Sequence, residues 1–287
     1  MVAVRGSDAS GEAPRVVVVI PCYNDGEFVG QALGSIEEDE PVEIVVVDDA
    51  STDPATHAVV DQLERDGVRV IRHQRNQGLS ATRMTGVRAT RAPYVFPLDA
   101  DDLAVAGALA KMADRLDADP AAAIAFGDRC EFGAWEMVRS VPELDPYLVA
   151  FRNEYPASML IRRDVLEEIG GWSADGSVYE DWDLWMSVAE GGYKALHMGP
   201  NEVTYRYRVH GGRLGGRIRK RHPSVYATLR ERHPKLFENL GAARRESEMG
   251  RIRKLLFPLL YGGRRRFAFE ADLMGVVNRV KTRASKR

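Results

Sequence analysis

The stretch Pro97-Leu-Asp-Ala-Asp-Asp-Leu103 ends a hydrophobic run, Ala92 to Leu98, in three carboxylates: Asp99, Asp101 and Asp102. Close carboxylates repel one another, and each costs free energy to desolvate unless it is paired or bound to a cation. A hard divalent metal carrying phosphate oxygens resolves that conflict. The chemistry suggested is metal-assisted transfer from a nucleotide-activated substrate. The alternative is that the aspartates cap the following helix, whose first turn favours acids. Capping accounts well for one or two of them.

The elements that must hold these residues are legible upstream. Residues 15–20, Arg-Val-Val-Val-Val-Ile, read as a strand buried on both faces. Pro21-Cys-Tyr-Asn-Asp-Gly26 breaks it, and residues 27–38 have helical spacing, with Phe28, Ala32, Leu33 and Ile36 on one side. A second buried strand, Val42 to Val47, stops at Asp48-Asp-Ala-Ser-Thr-Asp53. Ser51 or Asp53 is the expected cap of a helix around 55–66. Val68 to Arg72 is a third strand, Asn76-Gln-Gly78 a turn, 79–91 a helix and 93–98 a fourth strand. This alternation predicts a parallel sheet with covering helices. Ligands of such sheets sit beyond the carboxyl ends of the strands. The loops there, 21–26, 48–53, 73–78 and 99–102, are where Asp, Asn, His73 and Arg75 collect. That convergence favours a site over capping.

Residues 103–119 read as a helix, 121–127 as a strand and 128–155 as irregular, a length and position suited to binding a second substrate. Pro156 to Arg162 is strand-like, and a helix over 163–169 ends at Gly170-Gly171. Tyr179-Glu-Asp-Trp-Asp-Leu-Trp185 enters a helix that runs to Glu190. Residues 203–209 alternate like a strand and lead into His210. From about 217 the character changes: residues 241–287 hold thirteen Lys or Arg against four Asp or Glu. Arg264-Arg265-Arg266 stands beside Phe257, Leu259, Leu260, Tyr261, Phe267 and Phe269. Such a mixture marks a segment for a membrane surface or another anionic partner, or a helical tail packed on the domain with a solvated basic face.

Bulk properties set the frame. The 287 residues are 45% hydrophobic with a net charge of -2, which suits a soluble globular α/β chain and gives no sign of a nucleic-acid partner. Two cysteines, Cys22 and Cys130, make neither a disulfide framework nor a zinc site, so a reducing, cytoplasmic location is expected. Residues 1–13 are polar and small and read as a disordered leader. No apolar run approaches the roughly 20 residues of a membrane span.

Four motifs then carry a family resemblance over residues 15–215: Val-Val-Ile-Pro-Cys-Tyr-Asn (18–24), Val-Val-Asp-Asp-Ala-Ser-Thr-Asp (46–53), Leu-Asp-Ala-Asp-Asp (98–102) and Glu-Asp-Trp-Asp-Leu-Trp (180–185). In this order and spacing the chain resembles the inverting family 2 glycosyltransferases of the GT-A fold. The resemblance implies a Rossmann-like, mostly parallel sheet flanked by helices. The catalytic domain would span 14–216, with a donor half at 14–102 and an acceptor half at 103–216. A basic helical extension over 217–287 would follow. It implies a nucleotide-diphosphate sugar donor, a divalent metal (Mn²⁺ or Mg²⁺) and an acceptor hydroxyl. Asp99 and Asp101 would be the Asp-X-Asp pair, with Asp101 on the metal and Asp99 on the ribose or on the metal through water. His210 would be a further metal ligand or a diphosphate contact, and Asp102 a helix cap. Pro21 and Tyr23 would line the base pocket. Asp48 or Asp49 would accept hydrogen bonds from the base, and Arg83 would pair with a phosphate or with Asp49. Asp181, with Glu180 beside it, would be the base that deprotonates the acceptor. Trp182 would wall the acceptor site, and Trp185 is expected in the core.

The Gln-x-x-Arg-Trp motif of processive polysaccharide synthases is absent from the sequence, which points to a single sugar addition. Uridine diphosphate is the first expectation for the donor carrier, since a small pocket with Asp and Tyr suits uracil, with guanosine and thymidine diphosphates as the alternatives. Two other readings compete. A nucleotidyltransferase would carry a Gly-rich basic loop after the first strand, where this chain has Pro-Cys-Tyr-Asn-Asp. A non-catalytic nucleotide-sugar-binding scaffold would have no need of Asp99, Asp101 and Asp181. The basic extension suggests peripheral contact with the inner face of a membrane.

Overall fold

The computed structural model describes residues 13–173, 179–210 and 222–261. Strand and helix alternate as the sequence predicts: β1 (Val16–Cys22), α1 (Gly26–Gly34), β2 (Val42–Asp48), α2 (Pro54–Arg65), β3 (Arg69–Arg72), α3 (Leu79–Arg88) and β4 (Tyr94–Pro97). Side chains of a strand alternate between its faces, and both faces of β1 are covered. Val17 and Val19 join an apolar cluster with Met84 and Val87 of α3. Val16, Val18 and Ile20 join another with Val29 and Leu33 of α1.

Downstream come β5 (Leu103–Ala104), α4 (Ala108–Ala118), β6 (Ala122–Phe126), β7 (Asp128–Gly133), β8 (Met137–Arg139) and α5 (Pro146–Val149). They are followed by β9 (Leu160–Arg162), α6 (Arg163–Glu168), α7 (Glu180–Glu190), β10 (Lys194–His197) and β11 (Val203–Val209). Among the described residues the strands form two sheets. The larger has the order β10-β6-β9-β4-β1-β2-β3. Its strands are parallel except β9, which runs antiparallel to both β4 and β6. Strand β9 therefore threads the downstream half of the chain into the sheet begun upstream. The smaller sheet has the order β5-β11-β7-β8.

Register aligns the ends that matter. Cys22 lies opposite Asp48, and Asp48 opposite Arg72. The loops after β1, β2 and β3, with the aspartates after β4, therefore open on one edge of the sheet. Helix α3 sits close to it, because Gly86 lets the helix approach β1: a Cβ there would lie 2.4 Å from Val19 Cγ1. At the start of α1 a Cβ on Gly26 would lie 2.5 Å from the Thr56 Cα, so α1 and α2 meet backbone to backbone.

Three sequence expectations are revised. The helix expected from 103 begins at Ala108, because Leu103 and Ala104 instead pair antiparallel with β11. The segment 128–155, expected to be irregular, contains the β7–β8 hairpin and the short helix α5. Strand β7 pairs with β11, some 70 residues away, and a partner so distant leaves no local hydrophobic pattern. The strand expected over 156–162 narrows to Leu160–Arg162, in keeping with the missing N–H of Pro156.

The extension forms α8 (His222–Arg232), α9 (Pro234–Glu238), α10 (Leu240–Glu246) and α11 (Arg251–Tyr261). Tyr226, Leu229, Leu236 and Phe257 are buried in the same cluster as Val149, Trp182 and Trp185, so this much of the extension packs on the domain. Arg264-Arg265-Arg266, Phe267 and Phe269 lie outside the described residues, as do residues 1–12, where a disordered leader is expected, and residues 211–221. Among the described residues no helix is long and apolar enough to cross a membrane. Cys22 and Cys130 are both free thiols, and both are buried.

Candidate active site

The loops after β1 and β2 are laced together by one side chain. Asn24 takes a positive φ of 60°, a region Asn tolerates better than most residues. Its Oδ1 accepts from the backbone N–H of Thr52 at 2.7 Å and of Asp53 at 2.9 Å, and its own N–H donates to Ser51 Oγ. Asp53 caps α2, accepting from the N–H groups of Ala55 and Thr56. Ser51, the other expected cap, donates its hydroxyl to Asp48 Oδ1 instead. Asp49 is buried and holds the next loop: His73 Nδ1 lies 2.7 Å from Oδ1, and the N–H groups of Gln77 and Gly78 donate to its two oxygens at 2.8 Å each. Pro21 is buried in β1 opposite Val47, and Tyr23 stands exposed at the rim.

In the loop after β4, Asp99, Asp101 and Asp102 each place a carboxylate oxygen within 4.8 Å of the others. They are not equivalent. Asp102 is buried and accepts from the Arg208 N–H at 2.8 Å, which ties β11 to this loop. It caps no helix, because α4 starts at Ala108 behind Gly107. Arg208 tightens the same joint through Nε to the Asp101 carbonyl at 2.7 Å, its guanidinium set between the rings of Phe28 and Phe132. Strand β11 thereby delivers His210, whose Nε2 lies 3.0 Å from Asp101 Oδ2. Asp25, unmarked by the sequence reading, faces the same charge: burial and the nearby Asp101 push its carboxyl up to about 6.

Arg83 is 1% exposed, although an arginine on a helix is ordinarily a surface residue. It does not reach Asp49, one of its two expected partners, because the 73–78 loop occupies that carboxylate. Its Nη2 donates to Asp99 Oδ1 at 2.6 Å and its Nη1 to Glu180 Oε1 at 3.2 Å, with Trp172 beneath the guanidinium. Burial opposes its charge, and the two carboxylates more than offset that, holding the guanidinium above its ordinary range. One buried cation therefore joins the aspartate loop after β4 to the start of α7.

Glu180 and Asp181 open α7. Burial and the charge of its neighbour push Glu180 up to about 7, while Arg83 pulls it down. Burial also raises Asp181, against the pull of the Trp182 N–H and of Arg83. Its Oδ2 accepts from Asn153 Nδ2 at 2.8 Å, and the Tyr155 N–H donates to Asn153 Oδ1, which sets the amide's orientation. Asn153 lies in the 128–155 segment, so that stretch does reach the site, through a residue the sequence reading did not single out. Trp182 is corrected. It is 3% exposed, and its indole N–H donates to the Val149 carbonyl at 2.6 Å, so it is a core side chain under α7 rather than a wall open to an acceptor. Trp185 is core, as expected.

The profile described as glycosyl transferase family 2 matches residues 17–170, more than half of the chain. The chain belongs to that family. It is 37% identical over 112 residues to the succinoglycan biosynthesis protein ExoO of Rhizobium meliloti, covering 38% of this chain and 32% of that one. It is 36% identical over 92 residues to the uncharacterized glycosyltransferase EpsJ of Bacillus subtilis, covering 31% of this chain and 26% of that one. The matches thus span about a third or less of these curated relatives. Among solved structures, S. aureus TarS 1–349 in complex with UDP-GlcNAc superposes with a TM-score of 0.62 at 16% identity, over 84% of this chain and 69% of that one. The mannosyltransferase PcManGT of Pyrobaculum calidifontis, in complex with GDP-Man and Mn²⁺, gives 0.56 at 21% identity, over 84% and 77%. The architecture is that of the GT-A glycosyltransferases: a central, mostly parallel sheet flanked by helices.

Proposed function

We propose that this family 2 chain transfers a single sugar from a nucleotide-diphosphate donor, a UDP-sugar by preference, to an acceptor hydroxyl with inversion at the transferred carbon. The observation that carries the reading is the buried Arg83, which bridges Asp99 of the donor-side acidic loop and Glu180 beside Asp181. It brings a diphosphate-facing cluster and a candidate base to one cleft.

The aspartate cluster suits a hard divalent cation. Its donors are carboxylate oxygens, they lie close together, and their mutual repulsion is relieved by added positive charge. Asp101, Asp99 and His210 would hold Mn²⁺ or Mg²⁺. When bound, such an ion offsets the negative charge that builds on a departing diphosphate. Asp102 is committed to β11. Tyr23, Pro21 and the Asp48–Asp49 turn would border the base pocket, with one of the two carboxylates accepting from the base. Asp181 accepts the proton of the acceptor hydroxyl as the oxygen attacks. Asn153 holds its carboxylate in one orientation, and Arg83 keeps the adjoining Glu180 from repelling it outright. Acceptor choice falls to the 128–155 segment and to the region after His210.

The test is calorimetric titration of uridine, guanosine and thymidine diphosphates and their sugars, with and without Mn²⁺, on the wild type and on Asp101→Ala. Metal-dependent binding of one nucleotide, lost in the variant, is expected. Folded protein that binds no nucleotide would overturn the reading in favour of a non-catalytic scaffold.

A further inference from the structure

Helix α11 is apolar on two opposite sides. Its inner side is fully used: Phe257 is buried against Phe151, and Tyr261 accepts a hydrogen bond from Arg152 at 3.0 Å. Even its internal proline is accommodated. Pro258 has no N–H to give the Lys254 carbonyl, and Tyr147 donates its hydroxyl to that carbonyl at 2.6 Å instead. The helix is therefore anchored in the domain, not loosely attached.

The outer side is the anomaly. Ile252, Leu255, Leu256 and Leu259 recur at i, i+3, i+4 and i+7 and are 76%, 60%, 43% and 53% exposed. A helix lying on a soluble domain ordinarily turns a polar face to water. A contiguous apolar stripe marks a contact surface. Arg251 and Arg253, both exposed, fall on the two flanks of this stripe. From residue 249 to 269 the sequence carries six Lys or Arg and no Asp or Glu. An apolar strip bordered by cations complements the headgroup boundary of an anionic bilayer, where the apolar face sinks below the headgroups and arginines reach back to the phosphates.

We infer that α11 is an interfacial helix that seats the protein on an anionic lipid surface through Ile252, Leu255, Leu256 and Leu259. The segment it grips, Tyr147 to Arg152, runs directly into Asn153, the residue that holds Asp181. The lipid-facing helix thus packs on the acceptor side of the cleft. This inference is independent of the proposed reaction, because vesicle binding needs no donor, metal or acceptor.

The experiment is co-sedimentation of the full chain with vesicles of phosphatidylcholine alone and of phosphatidylcholine mixed with phosphatidylglycerol. Binding to the anionic vesicles at least about tenfold tighter than to the neutral ones, and weakened by salt, is expected. The pair Leu255→Glu and Leu259→Glu, both on the exposed side, should abolish it with the unfolding temperature unchanged. Arg251→Ser with Arg253→Ser should weaken only the anionic preference. A wild type that ignores both vesicle types overturns the inference, as does a glutamate variant that still sediments. Two further outcomes also overturn it. Self-association without vesicle binding, broken by Leu255→Glu, would mean that a second copy covers the stripe. A lowered unfolding temperature in the glutamate variant, without vesicle binding by the wild type, would mean that the rest of this chain covers it.

Discussion

At the scale of single residues the site turns on how one cation is shared. Arg83 is buried between two carboxylates, and removing one partner of such an arrangement leaves charge uncompensated. Arg83→Met should therefore cost about 3 kcal/mol of stability in a denaturant titration. Arg83→Lys keeps the charge but not the fork that reaches Asp99 and Glu180 together, and should recover only part of it. On the proposed mechanism the same guanidinium sets the acid limb of the rate profile. Asp181 acts as a base only when ionised, and burial raises both it and Glu180, the latter to about 7. The two titrate as a pair. The kcat/KM should thus fall as pH drops, starting above the ordinary carboxylate range. Because the positive charge of Arg83 pulls the pair down, Arg83→Met should move that limb to higher pH. Asp181→Asn should bind donor normally in calorimetry yet lose roughly 100- to 10,000-fold in turnover.

Elements matter here through close approach and through joints. Helix α3 carries Arg83 into the cleft only because Gly86 lets it lie against Val19. Gly86→Ala should overpack that contact and cost about 1–3 kcal/mol. It should also lower donor affinity by shifting Arg83, whereas an alanine at Gly30, where no neighbour lies within 4 Å of the added carbon, should do neither. The second joint is Arg208 on β11, which pins the aspartate loop at Asp102 and at the Asp101 carbonyl. An alanine there would keep the backbone bond to Asp102 and lose the Nε bond to the Asp101 carbonyl. Arg208→Ala should weaken metal-dependent nucleotide binding in the calorimeter while leaving metal-independent binding nearly intact.

Over the whole molecule, the C-terminal helices are part of the catalytic core's support. Asp183, two residues beyond the candidate base, meets His233 at 2.9 Å and Arg232 at 2.9 Å, and Glu190 at the other end of α7 accepts from the Leu236 N–H. Tyr226 and Leu229 pack under Trp182 in the main cluster. The extension clamps both ends of the helix that presents Asp181. Ending the chain at residue 216 should therefore lower the unfolding temperature by at least about 5 °C, read by calorimetry, rather than release an intact catalytic domain.

The sequence by itself determined the upstream architecture and the members of the acidic clusters. Buried parallel strands must be written as β-branched runs, and the loops at their carboxyl ends must carry the polar chemistry, so β1 to β4 and Asp48, Asp49, Asp99 and Asp101 were legible from composition and spacing, while Asp181 stood out only through the family resemblance. Only the tertiary structure decided who partners whom. Arg83 bonds Asp99 and Glu180 rather than Asp49, Asp102 serves β11 rather than a helix, and Asn153 reaches Asp181 from a stretch with no local signal. Trp182 went to the core and β7 to β11 for the same reason. Hydrophobic periodicity records how a segment meets its nearest neighbours. It is silent on contacts between residues a hundred positions apart, which form only once the sheet has brought them to one edge.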